Sequence, residues 1–269
     1  VQHHPAIIGW QLDNETKHYD NIGRHMQEGF VRSLQEKYPD LDQLNNDFGL
    51  DYWSNRIDSW QDFPPVENTI NASLACAFSR YQRQQVTEYL AWQAEIVREY
   101  AQPHQFVTHN FDFEWRGYSY GVQPRVDHFA AAQTLDIAGV DIYHPSQKHL
   151  TGREIAFGGA ITRSLKQGKN YFVLETQAQG FAQWTPYPGQ LRLQAFSHVA
   201  SGAAMVSYWH WHSIHNAFET YWKGLLSHDF SRNATWQEAT TIGADFARLS
   251  PQLAELKAEN DVALLISNE

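Results

Sequence analysis

The feature that most constrains the fold of this chain is a regular alternation of short apolar segments with longer amphipathic ones. Five segments rich in Val, Ile, Tyr and Phe are typical of strands buried on both faces, at residues 6–12, 105–110, 137–143, 170–175 and 203–209. Segments with helical spacing lie between them, at residues 22–38, 73–101, 127–135, 153–168 and 188–201. This alternation predicts an α/β fold with a parallel sheet, either an open doubly wound sheet or a (β/α)8 barrel. No GxGxxG follows any of the apolar segments, which weakens a dinucleotide-binding interpretation.

The two ends of the chain predict a truncated or processed polypeptide. The sequence starts at Val1 and enters a strand almost at once. Near the other end, "ARLSPQLAELKAEN" predicts a helix, and "DVALLISNE" begins like a further buried strand. We therefore expect residues 1–258 to be the C-terminal part of one domain and residues 259–269 to be the start of a second.

Charge and cysteine content exclude several classes of protein. The 269 residues carry a net charge of −10, and the 20 Lys and Arg residues are dispersed, so we expect neither a nucleic-acid nor a membrane partner. No run of about 18 apolar residues is present that could span a bilayer. The single cysteine, Cys76, excludes an internal disulfide framework and a multi-cysteine zinc site. It leaves the cellular compartment open, with the cytoplasm favoured.

Acidic and amide side chains follow the apolar segments where strands are predicted to end. Asn14 and Glu15 follow the first segment, "YFVLETQ" contains Glu175, and "GVDIYHP" contains Asp141 and Tyr143. Because the carboxyl ends of parallel strands share one edge of a sheet, Glu15 and Glu175 are expected to project into the same cleft at that edge. A single glutamate at the end of a strand is a helix cap or part of a surface ion pair about as often as it is a functional residue. Two of them, each after a buried strand, favour a functional site, since burying a carboxylate is costly unless it is used or satisfied.

Paired carboxyl groups among aromatic side chains match the requirements of glycoside cleavage. One carboxyl must be protonated to donate to the leaving oxygen, and the other must be ionised to attack or to stabilise the sugar cation. The chain has 10 Trp and 13 Tyr residues, whose faces can stack on sugar rings, although most are expected to serve packing. Trp184 and Trp222 are of most interest because they lie in loops after the fourth and fifth predicted strands.

Four stretches carry a resemblance to a known family, in the correct order over nearly the whole chain. They are "GWQLDNE", "LDQLNNDFGLDYWSNRIDSW", "YFVLETQ" with the tryptophan that follows it, and "GAAMVSYWHWHSIHNAFETYWKGLLSHD". They are similar to the β-galactosidases of glycoside hydrolase family 42. The resemblance implies a (β/α)8 TIM barrel of which this chain holds strands four to eight, without the first three strands and their sugar-binding arginine. It also implies that residues 259–269 begin a domain that takes part in trimer formation.

The resemblance further implies a retaining hydrolase of terminal β-D-galactosides. Carried over by motif, Glu15 is the acid/base and Glu175 the nucleophile of a double displacement. Asn14 would hydrogen-bond the 2-hydroxyl of the sugar, and Tyr143 would orient Glu175.

The remaining substrate-binding residues implied by the resemblance lie in loops. Trp184 would stack in the sugar site and Glu219 would bind galactose hydroxyls. Trp222 stands three residues after Glu219, where many family members have histidine. Some members bind zinc through a cysteine cluster after the acid/base residue, and the corresponding "RHMQEG" has no cysteine. We therefore expect a β-galactoside or galacto-oligosaccharide substrate, no metal and no cofactor, and a homotrimer in the full-length form.

Two other classes of function remain open. "WHWHSIH" places His210 and His212 on one face of an extended segment near His215, so a metal-dependent hydrolase is conceivable. No matching acidic or lysine ligand pattern occurs elsewhere, and local packing or lining of the sugar site is the simpler interpretation. A catalytically inactive carbohydrate-binding barrel is the second alternative. The paired glutamates argue against it, because a lectin has no need of an acid with a raised pKa.

Overall fold

The computed structural model describes residues 2–114, 122–145, 151–179, 185–254 and 256–267 of the chain. Its centre is a parallel sheet in which the five strands follow one another in sequence order: β1 (Gly9–Leu12), β2 (Phe106–Phe111), β3 (Gly139–Asp141), β4 (Tyr171–Gln177) and β5 (Ala203–Trp209). A doubly wound sheet reverses its strand order, whereas a (β/α)8 barrel does not. The sheet is therefore of the barrel type, and each of the five predicted strands is present.

Helices follow every strand of the sheet. They are α1 (Arg24–Lys37), α2 (Leu41–Phe48) and α3 (Ala72–Tyr100) after β1, α4 (His128–Ala132) after β2, α5 (Arg153–Leu165) after β3, α6 (Gln190–Ala200) after β4 and α7 (Ala234–Leu253) after β5. Two short 3₁₀ helices, Tyr52–Ser54 and Trp60–Asp62, lie between α2 and α3. In the part of the chain that the structure describes, none of the helices has both the length and the apolar character needed to cross a membrane.

Two helices differ from the sequence-based expectation. α2 was not predicted; it begins after Asp40, whose side chain accepts the N–H of Asp42, and ends at Gly49 in a left-handed conformation. α7 begins after Asn233, whose side chain accepts the N–H of Trp236, so it starts well before the predicted 247–260. Both helices are set by their capping residues, which outweighed the apolar spacing used in the prediction.

The residues that the structure describes form two large hydrophobic cores and a smaller one at α6 and α7. The first lies under the sheet and includes Val107, Val140 and Val173 from the strands with Leu90 of α3. The second is built by the α1–α3 excursion between β1 and β2, where Phe30 packs edge-on against Phe78 with ring centroids 5.2 Å apart. The long excursion therefore packs on its own, and leaves β1 and β2 as direct neighbours in the sheet.

The last described residues, 256–267, form neither helix nor strand. Leu264 and Leu265 are 74% and 96% exposed, whereas Ile266 packs against the core under the sheet. The buried strand predicted from "DVALLISNE" is thus absent from described residues 261–267. The second domain at 259–269 stays a prediction.

Candidate active site

Three carboxyl groups meet at the carboxyl edge of the sheet. Glu15 follows β1, Asp141 is the last residue of β3, and Glu175 lies in β4. Their nearest carboxylate oxygens all lie within 4.8 Å of one another. Asp141 and Glu175 are paired across the β3–β4 ladder, next to a register shift after Val140. The structure therefore brings the two glutamates together and adds an aspartate to the cluster.

The turn that carries Glu15 has an unusual backbone. Asp13 and Glu15 have φ angles of +32° and +43°, a region that residues with a side chain adopt only at a cost in free energy. The hydroxyl of Thr16 donates to the Asp13 carboxylate over 2.7 Å, and the N–H of Glu15 donates to Oδ1 of Asn110 over 3.3 Å. These contacts hold the turn, and Glu15 lies close to Asp141 and Glu175. Strain of this kind is typical of functional sites.

Asn110, at the end of β2, connects the strand ends. It is fully buried, and its Nδ2 group donates to Oδ1 of Asn14 over 2.9 Å and to Oδ2 of Asp141 over 2.6 Å. The same nitrogen lies 3.5 Å from Oε1 of Glu175, while Oδ1 accepts from Nε2 of Gln11 over 3.0 Å. Asn110 was not among the site residues predicted from the sequence. The available signal was the same as for Asn14, a side-chain amide at the end of an apolar strand.

The Glu15 carboxyl titrates near neutral pH, so that a large share of it is protonated at pH 7. Burial, the nearby charge of Asp112 and, more weakly, the charge of Glu175 raise the pKa of Glu15 to about 7. Nζ of Lys17, 3.9 Å from Oε2 of Glu15, opposes this rise. Asp112 is ion-paired with Lys17 and accepts a 2.9 Å hydrogen bond from Gln123. A carboxyl with a pKa near 7 can both give and take a proton at physiological pH.

Glu175 has a different environment. The hydroxyl of Tyr143 donates to Oε2 of Glu175 over 2.7 Å, which favours the ionised carboxylate. Burial raises the pKa of Glu175, with a further contribution from Glu219, and the Tyr143 hydrogen bond counteracts both. Burial and the Glu175 charge raise the pKa of Tyr143 itself, so its hydroxyl remains a donor. Of the two glutamates, Glu15 therefore has the environment of the acid and Glu175 that of the charged partner.

Asp141 is the most deeply buried of the three acids, at 2% exposure. Its Oδ2 accepts from Asn110, while its Oδ1 has no hydrogen-bond partner. Burial, and then the charge of Glu175, raise the pKa of Asp141 to about 9, so the side chain is neutral at pH 7. As a neutral acid it can donate its proton to Glu15, an interaction that lowers the pKa of Glu15. The sequence places Asp141 at the strand end but gives no sign of its protonation.

The predicted aromatic residues have different positions. Trp222 is buried at 7% exposure, and its ring centroid lies 5.3 Å from that of Tyr143. It therefore packs behind the residue that holds Glu175, and its contact with a sugar stays a prediction. Oε2 of Glu219 accepts a 3.2 Å hydrogen bond from the indole of Trp209 at the end of β5. Trp184 lies outside the described residues.

The three histidines of "WHWHSIH" pack against one another. The ring centroids of His210 and His212 are 4.9 Å apart, and those of His212 and His215 are 5.6 Å apart. Nδ1 of His210 lies 3.0 Å from the backbone oxygen of His212, and Nδ1 of His212 lies 2.8 Å from that of Ser213. Among the described residues, the group with atoms close enough to share a metal ion is Glu15, Asp141 and Glu175, not these histidines. The geometry thus gives no support to a histidine metal site.

Taken together, the fold and the site define a class of protein. Paired carboxyl groups at the carboxyl ends of barrel strands, with separations of this size, are typical of glycoside hydrolases. Residues 1–249 match the family model Glyco_hydro_42, described as beta-galactosidase. The chain belongs to glycoside hydrolase family 42, as its sequence motifs predicted.

Individual relatives agree with this assignment. The chain is 27% identical to beta-galactosidase BgaA of Clostridium cellulovorans over 275 residues, covering 98% of this chain and 40% of that protein. It is 30% identical to a beta-galactosidase of Thermus thermophilus over 277 residues, covering 93% of this chain and 41% of that protein. The chain therefore spans about two fifths of the length of these curated relatives.

Solved structures confirm the predicted fold class. The beta-galactosidase of the Antarctic haloarchaeon Halorubrum lacusprofundi superposes with a TM-score of 0.79 at 25% identity, covering 91% of this chain and 39% of that one. A catalytic mutant of Gan42B, a GH42 beta-galactosidase from G. stearothermophilus, gives 0.83 at 23% identity, covering 93% of this chain and 38% of that one. The five strands thus correspond to part of a family 42 barrel.

Proposed function

We propose that the protein containing this chain hydrolyses terminal β-D-galactosides with retention of anomeric configuration. The observation that carries the proposal is the closeness of Glu15 and Glu175, whose nearest carboxylate oxygens lie within 4.8 Å. Retaining glycosidases hold their two carboxyl groups about 5–5.5 Å apart, whereas inverting enzymes need about 6.5–9.5 Å to admit a water molecule. The short separation supports direct attack by one of the carboxylates on the sugar.

In the first step Glu175 attacks the anomeric carbon while Glu15 gives its proton to the glycosidic oxygen. The bond between the anomeric carbon and that oxygen breaks, the alcohol leaves, and a galactosyl ester of Glu175 forms. The pKa of about 7 supports Glu15 as the donor, and the Tyr143 hydrogen bond supports Glu175 as the charged nucleophile.

In the second step Glu15 takes a proton from water, which attacks the anomeric carbon and releases Glu175 as a carboxylate. The first step has removed the negative charge of Glu175, which favours the change of Glu15 from acid to base. As an ester, Glu175 no longer carries the charge that helps to raise the pKa of Glu15. The pKa of Glu15 then falls, and the side chain is ready to act as the base.

The proposed substrate contacts rest on family membership and on the shape of the site. Asn110 binds the carbonyl oxygen of Asn14, which orients the Nδ2 hydrogens of Asn14 as donors to the 2-hydroxyl of galactose. Glu219 is fixed by the indole of Trp209 and would accept bonds from other galactose hydroxyls. Stacking by Trp184, sugar contact by Trp222 and a homotrimer remain predictions of the family resemblance.

The experiment uses the protein expressed from the complete reading frame that encodes this chain. Wild type is expected to cleave p-nitrophenyl β-D-galactoside and to release β-galactose first, as followed by proton NMR. Glu175→Ala should be inactive, and added azide should restore turnover with α-galactosyl azide as the product. Glu15→Ala with azide should instead give the β-azide, because there the azide replaces water in the second step.

The matched control is Glu95→Gln, an exposed glutamate on α3 that should behave as wild type. An α-configured first product from wild type would contradict retention. Unchanged turnover in Glu175→Ala would contradict the assignment of the nucleophile. Absence of hydrolysis with intact galactose binding would favour the inactive carbohydrate-binding barrel.

A further inference from the structure

His109, in β2, is a buried titratable residue that the proposed mechanism does not use. It is fully buried, and its ring packs edge-on against Phe111 with the centroids 4.8 Å apart. Both ring nitrogens nevertheless contact the turn that carries Glu15. Nδ1 lies 2.8 Å from the backbone oxygen of Leu12, and the backbone N–H of Thr16 donates to Nε2 over 3.3 Å. The imidazole therefore bridges the residue before the turn and the residue after Glu15.

The two contacts define the protonation state of this ring. A backbone oxygen can only accept a hydrogen bond, so Nδ1 carries the hydrogen. A backbone N–H can only donate, so Nε2 is the free acceptor. Burial lowers the pKa of His109, which favours the neutral ring, while the hydrogen bond to Leu12 has the opposite effect. A cationic ring would present a second N–H to Thr16 and lose that contact.

Two consecutive residues of β2 hold the turn from opposite faces of the sheet. Successive side chains of a strand point to opposite faces, so His109 and Asn110 approach the turn from its two sides. Asn110 accepts the backbone N–H of Glu15 over 3.3 Å, on the side of the carboxyl cluster. His109 accepts the next N–H along the chain, that of Thr16, on the side packed against Phe111. The peptide groups on both sides of the Glu15 α-carbon are therefore held.

The backbone of Glu15 depends on such support. Its φ angle of +43° is unfavourable for a residue with a side chain, and a conformation of this kind persists only where the surrounding structure imposes it. Without the bridge, the turn could relax toward a negative φ. Because the direction of the Glu15 side chain follows from the backbone at its α-carbon, the carboxyl would then move relative to Glu175.

We propose that His109 is a positioning residue for Glu15: its neutral ring bridges Leu12 and Thr16 and holds the carboxyl where it can protonate the leaving oxygen. The proposal rests on the proposed function, because it takes Glu15 as the acid. It deepens that function by adding a residue that acts only through the backbone of the turn.

The test compares kcat/KM for two galactosides that differ in their need for an acid. Phenyl β-D-galactoside releases a weakly acidic phenol and needs the proton of Glu15, whereas 2,4-dinitrophenyl β-D-galactoside releases a stable phenolate without it. A variant that is only less well folded loses the same factor on both substrates, so the phenyl-to-dinitrophenyl ratio does not change. A displaced acid lowers this ratio.

Glu15→Gln removes the acid and sets the largest loss of the ratio, about 100-fold or more. His109→Leu should lower the ratio about 10-fold, because the acid is displaced and not removed. His109→Val, with a residue that favours strands, should have the same effect and gives the same measurement if the leucine variant does not fold.

Two further variants serve as controls. Glutamine at this position is neutral and offers a donor and an acceptor side by side, so His109→Gln can remake both contacts and should restore the ratio to near that of wild type. His198→Leu removes another fully buried histidine, one that lies in α6, and should keep the wild-type ratio.

Wild-type ratios in His109→Leu and His109→Val, with both substrates cleaved, would overturn the role of His109. A glutamine variant with a ratio as low as that of the leucine variant would also overturn it, because the hydrogen bonds would then not be what positions the turn. Failure of wild type to cleave either galactoside would instead overturn the proposed function, and the role of His109 with it.

Discussion

Replacing Asp141 by asparagine is expected to leave turnover nearly intact and to stabilise the protein at neutral and alkaline pH. With a pKa raised to about 9, by burial first and then by Glu175, only about one Asp141 side chain in a hundred is ionised at pH 7. Asparagine has nearly the same shape and is neutral. Its carbonyl oxygen can accept the Asn110 hydrogen bond, and its amide can donate toward Glu15 in place of the acid proton.

The stability effect follows from linkage between protonation and folding. Above its ordinary pKa of 3.8, Asp141 releases its proton in the unfolded chain but keeps it in the folded protein up to about pH 9. The unfolded state therefore binds fewer protons, and the free energy of unfolding falls by about 1.4 kcal/mol per pH unit across this window. At pH 7 the accumulated loss is about 4 kcal/mol, a large share of the 5–15 kcal/mol typical of a domain. Asparagine does not titrate and escapes this loss.

The assay is urea unfolding of wild type and Asp141→Asn at pH 5, 7 and 9, with kcat/KM measured at pH 6. The stability advantage of the variant should grow with pH, and its kcat/KM should stay within about tenfold of wild type. Asp141→Ala should lose more activity, because the buried Nδ2 of Asn110 loses an acceptor at a cost of about 1–3 kcal/mol. Asp62→Asn, at an exposed position, is the control for a simple change of charge. An asparagine variant as inactive as the alanine variant, or one whose stability advantage does not change with pH, would refute a neutral Asp141 at pH 7.

Three further predictions concern the residues around the carboxyl cluster. In wild type, kcat/KM for a galactoside with a poor leaving group should fall above about pH 7, where Glu15 loses the proton it must donate. Glu15→Gln, tested on an activated aryl galactoside, should show no such fall at alkaline pH. A fall as large as that of wild type would point to another acid. Tyr143→Phe should lower kcat about 10- to 100-fold, because Glu175 loses the hydrogen bond that favours its ionised form. For the same reason the fall of activity at acidic pH should begin at a higher pH than in wild type. A pH profile identical to that of wild type would contradict this. Trp222→Ala should destabilise the protein by about 3–5 kcal/mol in urea unfolding, since a buried ring is removed from behind Tyr143, and a loss below about 1 kcal/mol would show that the ring is not packed there.

Most of the fold could be predicted from the sequence, because a strand buried on both faces is continuously apolar and therefore visible as a short run. β5, Ala203–Trp209, has the predicted bounds, and β3 is shortened to Gly139–Asp141. The two helices that were missed or misplaced depend on single capping side chains, Asp40 and Asn233. These capping residues are visible in the sequence, but a prediction based on the spacing of apolar residues gives them little weight.

The site was predictable only in outline. Parallel strands end at one edge, so the meeting of Glu15 and Glu175 could be inferred without coordinates. The link through Asn110, the neutral state of Asp141 and the bridge made by His109 depend on distances between strands and on the register shift after Val140. These distances depend on the register in which neighbouring strands pair, and the sequence alone does not give that register. A shift of one residue would turn the same side chains to the other face of the sheet.

Helix α3 belongs to both hydrophobic cores, and this has a consequence for how the protein opens. Leu74 and Phe78 in its first turns pack in the excursion, whereas Leu90 and Ala94 farther along pack under the sheet. Regions with separate cores can exchange their amide hydrogens at different rates. A fluctuation that loosens the excursion would therefore fray the beginning of α3 and stop partway along it. The strand ends that hold the three acids would keep their spacing while the excursion opens locally.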